Sequence, residues 1–330
     1  MKLRKIGALE SSAIGFGCMS LSHAYGPPPT AQQAERIVLD AIDSGYTLLD
    51  TAALYGFGAN ETLLGNVLKG RRNQVVLASK CGIFNNAAGQ REINGRPEVI
   101  KQTCEDSLRR LQTDTIDLYY LHRWNKTVPI EDSIGALSEL VSAGKIREIG
   151  LSEVSAETLR SAHRVHPIAA VQSEYSLWTR NPEIAVLQAC RELGVAFVAF
   201  SPVGRGFLTG ALRDVSLLAE NDLRRTMPRF EHSNYAANLA LLDKVQQVAN
   251  DTGCTLAQLA LAWLLGRGDN IIPIPGTTKS NHLKENFAAL EVKLNPAVFA
   301  RLDDIINQSS VVGTRYKAAT QSEIDTEEFS

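Results

Sequence analysis

Eight short apolar runs punctuate this chain, at residues 14–19, 47–50, 75–80, 116–122, 146–152, 169–172, 195–201 and 271–274, and helical patterns fill the gaps between them. Several are apolar without a break, as in Val195-Ala196-Phe197-Val198-Ala199-Phe200. Strands of that kind belong in a sheet covered on both faces, because a strand with one wet face alternates. Between the first two runs Ala34, Ile37, Val38, Ala41 and Ile42 recur at the spacing of one helix face, with Thr30 placed to cap it. Regular strand–helix alternation with no linker predicts an α/β fold, and a single closed (β/α)8 TIM barrel over residues 1–330 rather than an open doubly wound sheet.

The chain's 330 residues exceed the ~250 typical of such a barrel. The surplus is expected in an N-terminal hairpin over residues 1–12, a loop at 81–96, a long insertion after strand seven from 202 to about 235, and a C-terminal tail after 307. The polar, Gly- and Asn-rich stretch 81–96 is too long to be an idle connection and reads as a substrate-side loop.

The runs end on polar residues. Asp50, Lys80, His122, Ser152, Gln172, Ser201 and Thr277 all fall at or just past the carboxyl end of successive strands. Barrel enzymes place their chemistry at that rim. Tyr55 follows Asp50 by five residues, on a loop marked by Gly56 and Gly58. A buried carboxylate needs a partner, and Lys80 is the candidate. A nearby ammonium lowers a phenol's pKa from its usual value of about 10, so Asp50 would orient Lys80, and Lys80 would make Tyr55 a usable acid. His122 would either hydrogen-bond a substrate oxygen or relay a proton. That set suits proton donation to a carbonyl oxygen as hydride reaches its carbon.

Other patterns carry less. Gly15-Phe16-Gly17 starts like a dinucleotide fingerprint, but Ser20 occupies the third small position, and Gly17 reads instead as a point of close approach. Gly204-Arg205-Gly206 after a strand suggests a phosphate cradle, and Gly150-Leu151-Ser152-Glu153-Val154 lacks the last Gly of a nucleophile elbow. His163 and His166 lack a third ligand, so no metal is expected. Trp124 stands either in the substrate pocket or at its rim, and Glu323, Asp325, Glu327 and Glu328 read as a solvated acidic tail.

A net charge of -2 gives no footing for nucleic acid or a membrane surface, and no apolar run approaches a membrane span. Five cysteines without a C-x-x-C suggest neither disulfides nor zinc and fit reduced thiols in the cytoplasm. The expected partner is a small carbonyl or alcohol; oligomeric state is left open.

Asp50, Tyr55, Lys80 and His122, in that order and on those elements, resemble the catalytic tetrad of the aldo-keto reductase superfamily. The similarity extends through Gly17-x-Met19-Ser20, Gly150-Leu151-Ser152, Gln172-Ser173-Glu174-Tyr175, the run from Phe200 to Gly206, and Ile274-Pro275-Gly276-Thr277-Thr278-Lys279 on to Glu285-Asn286. It implies NADPH-dependent reduction of an aldehyde or ketone, or the reverse oxidation, with Tyr55 as proton donor and His122 positioning the carbonyl. Gly17, Met19 and Asp50 would border the cofactor, and Ser152 and Gln172 would hold its carboxamide. Phe200 would stack on the ring. Ser201, Pro202, Gly204 and Gly206 would line the pyrophosphate, with Gly276, Thr277, Thr278, Lys279, His282, Glu285 and Asn286 at the adenosine 2′-phosphate end. Glu153 replaces the Asn that many members carry, and His282 replaces a phosphate-gripping Arg. The coenzyme the resemblance implies is still NADPH, with NADH the alternative, since His282 lacks the permanent clamp of an Arg. Some relatives act instead as cofactor-binding regulatory subunits of potassium channels, which is the second functional reading.

Overall fold

The computed structural model describes residues 2–85 and 91–329. Strands β1 (Leu3–Ile6) and β2 (Leu9–Ser12) pair antiparallel as the expected hairpin. Then β3 (Phe16–Gly17), α1 (Ala31–Asp43), β4 (Leu48–Asp50), α2 (Ala59–Val67) and β5 (Val76–Cys81) begin the alternation. It continues through α3 (Pro97–Leu111), β8 (Ile116–Leu121), α4 (Ile130–Ser142), β9 (Ile146–Ser152), α5 (Ala156–Val165), β10 (Ala170–Glu174), α6 (Val186–Leu193) and β11 (Ala196–Phe200). Two helices, α7 (His232–Thr252) and α8 (Leu256–Leu265), precede β12 (Ile271–Pro273) and α9 (Ser280–Ala288).

The eight strands of the central sheet run parallel in the order β12-β11-β10-β9-β8-β5-β4-β3. The seam is closed by the Gly15 amide donating to the Pro273 carbonyl at 3.0 Å and that of Gly17 to Pro275 at 3.2 Å. The barrel is thus complete, as the alternation predicts. At that seam a Cβ on Gly17 would lie 2.8 Å from the Ile274 carbonyl oxygen, and one on Gly276 would lie 2.8 Å from the Gly17 oxygen. The close approach read from Gly17 is the backbone of the last strand.

Strand periodicity sorts every second residue inward. Leu48, Ala78, Leu118, Tyr120, Ala170, Val198 and Ile272 form one buried cluster inside the barrel, joined by Ile6 from the hairpin, which stoppers the N-terminal end. The flanking residues of the same strands, Leu49, Leu77, Tyr119, Val171 and Phe197, pack outward into the helix layer. Counting on by two from the inward set reaches Asp50, Lys80, His122, Gln172 and Phe200. The same parity that fills the barrel aims those five side chains into its upper mouth.

Three expectations need correction. Stretch 81–96 is not featureless: β6 (Ile83–Asn85) and β7 (Arg91–Ile93) form a hairpin, while residues 86–90 lie outside the described residues. The insertion after β11 ends earlier than 235, because α7 starts at His232. Beyond α9, α10 (Pro296–Ile305) went unanticipated, although Asn295 caps it by accepting from the Val298 amide at 3.0 Å. A short α11 (Ala318–Gln321) follows. Among the described residues no helix is long and apolar enough to cross a membrane.

Candidate active site

The carboxyl ends of the strands open into a cavity of about 920 Å³. Lys80 lies beneath it, fully buried, with its Nζ paired to Asp50 Oδ1 and donating to the Thr51 carbonyl at 2.7 Å. The Tyr55 hydroxyl is 3.5 Å from the same nitrogen. Gln172 Nε2 donates to the other Asp50 oxygen at 2.7 Å. Both oxygens of this buried carboxylate are therefore satisfied, the condition for keeping it ionised away from water.

The loop that carries Tyr55 is built to hold a side chain in place. Gly56, Phe57 and Gly58 all have positive φ, at 56°, 51° and 93°. Asn60, wholly buried at the start of α2, accepts from Thr51 Oγ1 at 2.6 Å and donates to the Cys18 carbonyl at 2.9 Å and Ser22 Oγ at 2.7 Å. It ties the ends of β3 and β4 to the loop between them. Next to it, buried Glu61 accepts from Ser79 and, at 2.7 Å, from Arg110 Nε. Neither was singled out from sequence; the polar pair Asn60-Glu61 at a helix start was the available signal.

Burial raises the Tyr55 phenol above its ordinary value; the Lys80 ammonium works against that rise and does not outweigh it. The expected depression is thus overcome by desolvation. For Lys80 itself burial favours the neutral amine, but Asp50 and then Tyr55 reverse this and hold the ammonium above its usual pKa. Burial, assisted by Arg123 and Lys80, pushes His122 well below 6.5. A neutral imidazole suits hydrogen bonding better than proton relay. Its ring stands edge-on to Tyr55 at 6.0 Å, and its Nδ1 has no hydrogen-bond partner among the described residues. His23, missed in the sequence, also packs against Tyr55, with ring centroids 5.5 Å apart, and lines the cavity.

Gly17, Met19, Ser152, Phe200, Ser201, Pro202, Gly206, Gly276, Thr277, Thr278, Lys279 and His282 line the same cavity, together with Asp50, Tyr55, His122 and Gln172. Gly204, Glu285 and Asn286 do not. Trp124 borders a separate recess with Ile93 and Lys126, its indole N–H donating to the Val128 carbonyl at 2.7 Å.

The residues fit a nicotinamide dinucleotide. Ser152 Oγ accepts from Arg123 at 3.2 Å, which leaves its own proton to donate, while Gln172 uses its amide N–H on Asp50 and keeps its carbonyl to accept. One donor and one acceptor match a primary carboxamide. Ser201, Gly204, Arg205 and Gly206 have φ of 49°, 59°, 55° and 93°, and the Gly204 and Gly206 amides donate to the Ser201 and Val203 carbonyls at 2.9 and 3.2 Å, a tight turn that brings Ser201, Pro202 and Gly206 to the cavity wall. At the far end, Lys279 is the N-cap residue of α9 and no side chain caps the helix, while Thr277, Thr278, Lys279 and His282, at its positive dipole end, line the cavity.

Glu153 does not serve as a stand-in for a carboxamide ligand. Its backbone turns left-handed, at φ 55°, and its buried carboxylate accepts from Arg315 at 2.7 Å and from the Glu174 amide at 2.9 Å. Glu174 pairs with Arg205 at 2.7 Å, and Arg205 donates to the Tyr316 hydroxyl at 2.9 Å. Nor is the acidic tail merely solvated. Asp325 accepts from the Ser155 amide at 3.1 Å and Thr158 Oγ1 at 2.7 Å, Glu327 from the Ala156 amide at 2.8 Å, and Glu328 from Asn181 at 3.0 Å. Asp325 and Glu327 thereby cap the start of α5, where the helix dipole favours negative charge.

An eight-stranded parallel barrel with a buried Asp–Lys pair beneath a tyrosine defines a recognisable class. The model of the Aldo/keto reductase family matches residues 13–307, and the chain belongs to that family. It is 45% identical over 328 residues to Aldo-keto reductase yakc [NADP(+)] of Schizosaccharomyces pombe, covering 97% of this chain and 96% of that protein. The structure of the glycerol dehydrogenase AKR11B4 from Gluconobacter oxydans superimposes with a TM-score of 0.85 at 28% identity, over 92% of this chain and 94% of that one. An aldo/keto reductase from Klebsiella pneumoniae, crystallised with NADP and acetate, gives 0.71 at 29% identity, covering 95% and 97%.

Proposed function

We propose that the protein is an NADPH-dependent oxidoreductase that reduces an aldehyde or ketone to the alcohol, reversibly, with Tyr55 as general acid. The observation that carries this reading is the Tyr55 hydroxyl beside a buried, charged Lys80 at the wall of a cavity long enough to present a carboxamide pair at one end and an anion site at the other. When bound, NADPH supplies the hydride. Ser152 and Gln172 orient the carboxamide, and Phe200 offers its face beside them. A substrate oxygen placed between Tyr55 and the neutral His122 would receive the phenolic proton. Negative charge then developing on the tyrosine oxygen is met by the Lys80 ammonium, which Asp50 keeps protonated.

Family membership and the NADP named for the relatives support the coenzyme. Lys279 and the open start of α9 favour the 2′-phosphate form, and His282 weakens that grip relative to an Arg. The test is a fluorescence titration with NADPH and NADH, followed by turnover with a panel of carbonyls. Tighter NADPH binding and consumption with at least some aldehydes are expected. Tight binding with very slow release and no turnover would favour a cofactor-sensing binding role instead.

A further inference from the structure

Charge is distributed unevenly around the cavity. Arg91, Arg123, Arg205, Arg224, Lys279 and Lys317 line it, against Asp50 and Glu323. Most of these charges are already spoken for. Arg91 pairs with Glu323 at 2.8 Å, Arg205 with Glu174 at 2.7 Å, Arg224 with Asp222 at 2.6 Å, and Asp50 with Lys80. Among the described residues Arg123, Lys279 and Lys317 form no ion pair. Lys279 stands at the α9 end, where the proposed coenzyme's phosphate belongs. Arg123 stands at the other end, directly after His122.

Arg123 is half-buried, and its position is fixed. Its Nη1 donates to the His122 carbonyl at 2.7 Å and to Ser152 Oγ at 3.2 Å, both neutral acceptors. A guanidinium carries five donors in a planar fork, and these two contacts share one nitrogen. Withdrawing a cation even partly from water without a counter-charge is unfavourable, and proteins normally pair it. Here the acidic side chains on the cavity wall are both taken, Asp50 by Lys80 and Glu323 by Arg91. Exposed Lys317 on the cavity wall adds a further positive charge and no negative one. The missing partner is most simply an anion that arrives with the substrate. The fork is also well matched to the planar oxygens of a carboxylate or to a phosphate.

We infer that the natural substrate is an anionic carbonyl compound, whose carboxylate or phosphate is held by Arg123 while its C=O faces Tyr55 and His122. This deepens the reductase reading above and rests on it. The aldehyde or ketone gains a hydride at carbon and a proton from Tyr55 at oxygen; the anionic group takes no part in the chemistry and only fixes its pose. Binding energy from that remote group would appear in kcat/KM as orientation of the reacting carbon.

The experiment compares matched pairs of carbonyls with saturating NADPH: 4-oxobutanoate against butanal, and glyceraldehyde 3-phosphate against glyceraldehyde. Each pair is run on the wild type, Arg123→Gln and Arg123→Lys. A charge-assisted contact predicts a kcat/KM preference for the anion of about tenfold to a hundredfold in at least one pair, and the pair showing it tells carboxylate from phosphate. In Arg123→Gln the anion-to-neutral ratio should collapse to within about threefold, with Arg123→Lys in between, and raising ionic strength should erode the wild-type ratio. Because the readout is a ratio within one preparation, a variant that folds poorly still reports. A ratio near one in the wild type, or one that survives Arg123→Gln, overturns the inference while leaving the reductase intact. If Arg123 merely braces His122 and Ser152, both members of each pair fall together and the ratio stays put. Absence of turnover with every carbonyl in the wild type would instead strike the underlying function.

Discussion

Two buried ionic groups sit on one rim of this barrel and do different things. In the first, Lys80 and Asp50 are neighbours on adjacent strands, each reached by counting inward positions along its own strand, and together they back the Tyr55 hydroxyl. In the second, Glu153, Arg315, Glu174 and Arg205 join the ends of β9 and β10 to the insertion and to the tail, with 162 residues separating Arg315 from Glu153. The first borders the cavity and backs Tyr55, the proposed proton donor. The second ties the insertion and the tail to the strand ends, and it does so through Glu153, where many members carry an Asn. Both obey the same rule, that a charge taken out of water must be matched, yet only the first is assigned to the proposed chemistry.

Variants should separate the two roles. The largest effect belongs to Lys80→Met, which strands Asp50 without its cation and removes the charge behind Tyr55. Turnover should fall by about 10²–10⁴, and stability by about 3–5 kcal/mol, the first read by steady-state kinetics and the second by chemical unfolding. Arg315→Met should cost a similar 3–5 kcal/mol by uncovering buried Glu153. Its turnover per folded molecule should fall far less than that of Lys80→Met, and equal losses would show that the clamp is part of the catalytic machinery.

Acid sharpens the contrast. Burial alone would raise Glu174, but Arg205 and Arg315, with Arg229, hold it down to about 2. A depressed carboxylate contributes stability that is whole above its unfolded pKa near 4.5 and is lost as pH falls towards 2. The shift corresponds to about 3 kcal/mol. Unfolding midpoints measured between pH 5 and 2 should drop accordingly in the wild type and more shallowly in Glu174→Gln. His122 adds to the acid loss from a higher pH, since an imidazole held well below 6.5 stays neutral in the folded chain while the unfolded chain takes up a proton. The smallest effect is expected of Glu153→Gln combined with Arg315→Met. Removing both members of the pair should be milder than removing Arg315 alone, by about 1–3 kcal/mol in a double-mutant cycle.

The barrel was legible because eight apolar runs and their helical spacers admit few other arrangements, and the rim was legible because strand parity puts polar ends on one side. What escaped depended on contacts that sequence spacing does not encode. Arg315 and Tyr316 lie in a tail without periodicity, so nothing local said they would reach Glu153 and Arg205. The acidic tail read as solvated because Asp325 and Glu327 are met by backbone amides at the start of α5, which carry no residue signature. Glu323 and Glu328 find Arg91 and Asn181 far away in sequence. Arg123 was visible beside His122, but its lack of a counter-ion is a property of the folded cavity. The Tyr55 phenol was expected to be depressed by Lys80; how completely loop and barrel would bury it, and so raise it, follows only from packing.

The most direct measurement is turnover of Tyr55→Phe beside its NADPH affinity. The account predicts that carbonyl reduction falls by about 10²–10⁴ while coenzyme binds within a few-fold of the wild type, since only one hydroxyl at the Lys80 end of the cavity is lost. Reduction at an undiminished rate would mean that the proton comes from elsewhere and would contradict the role given to the Asp50–Lys80–Tyr55 group.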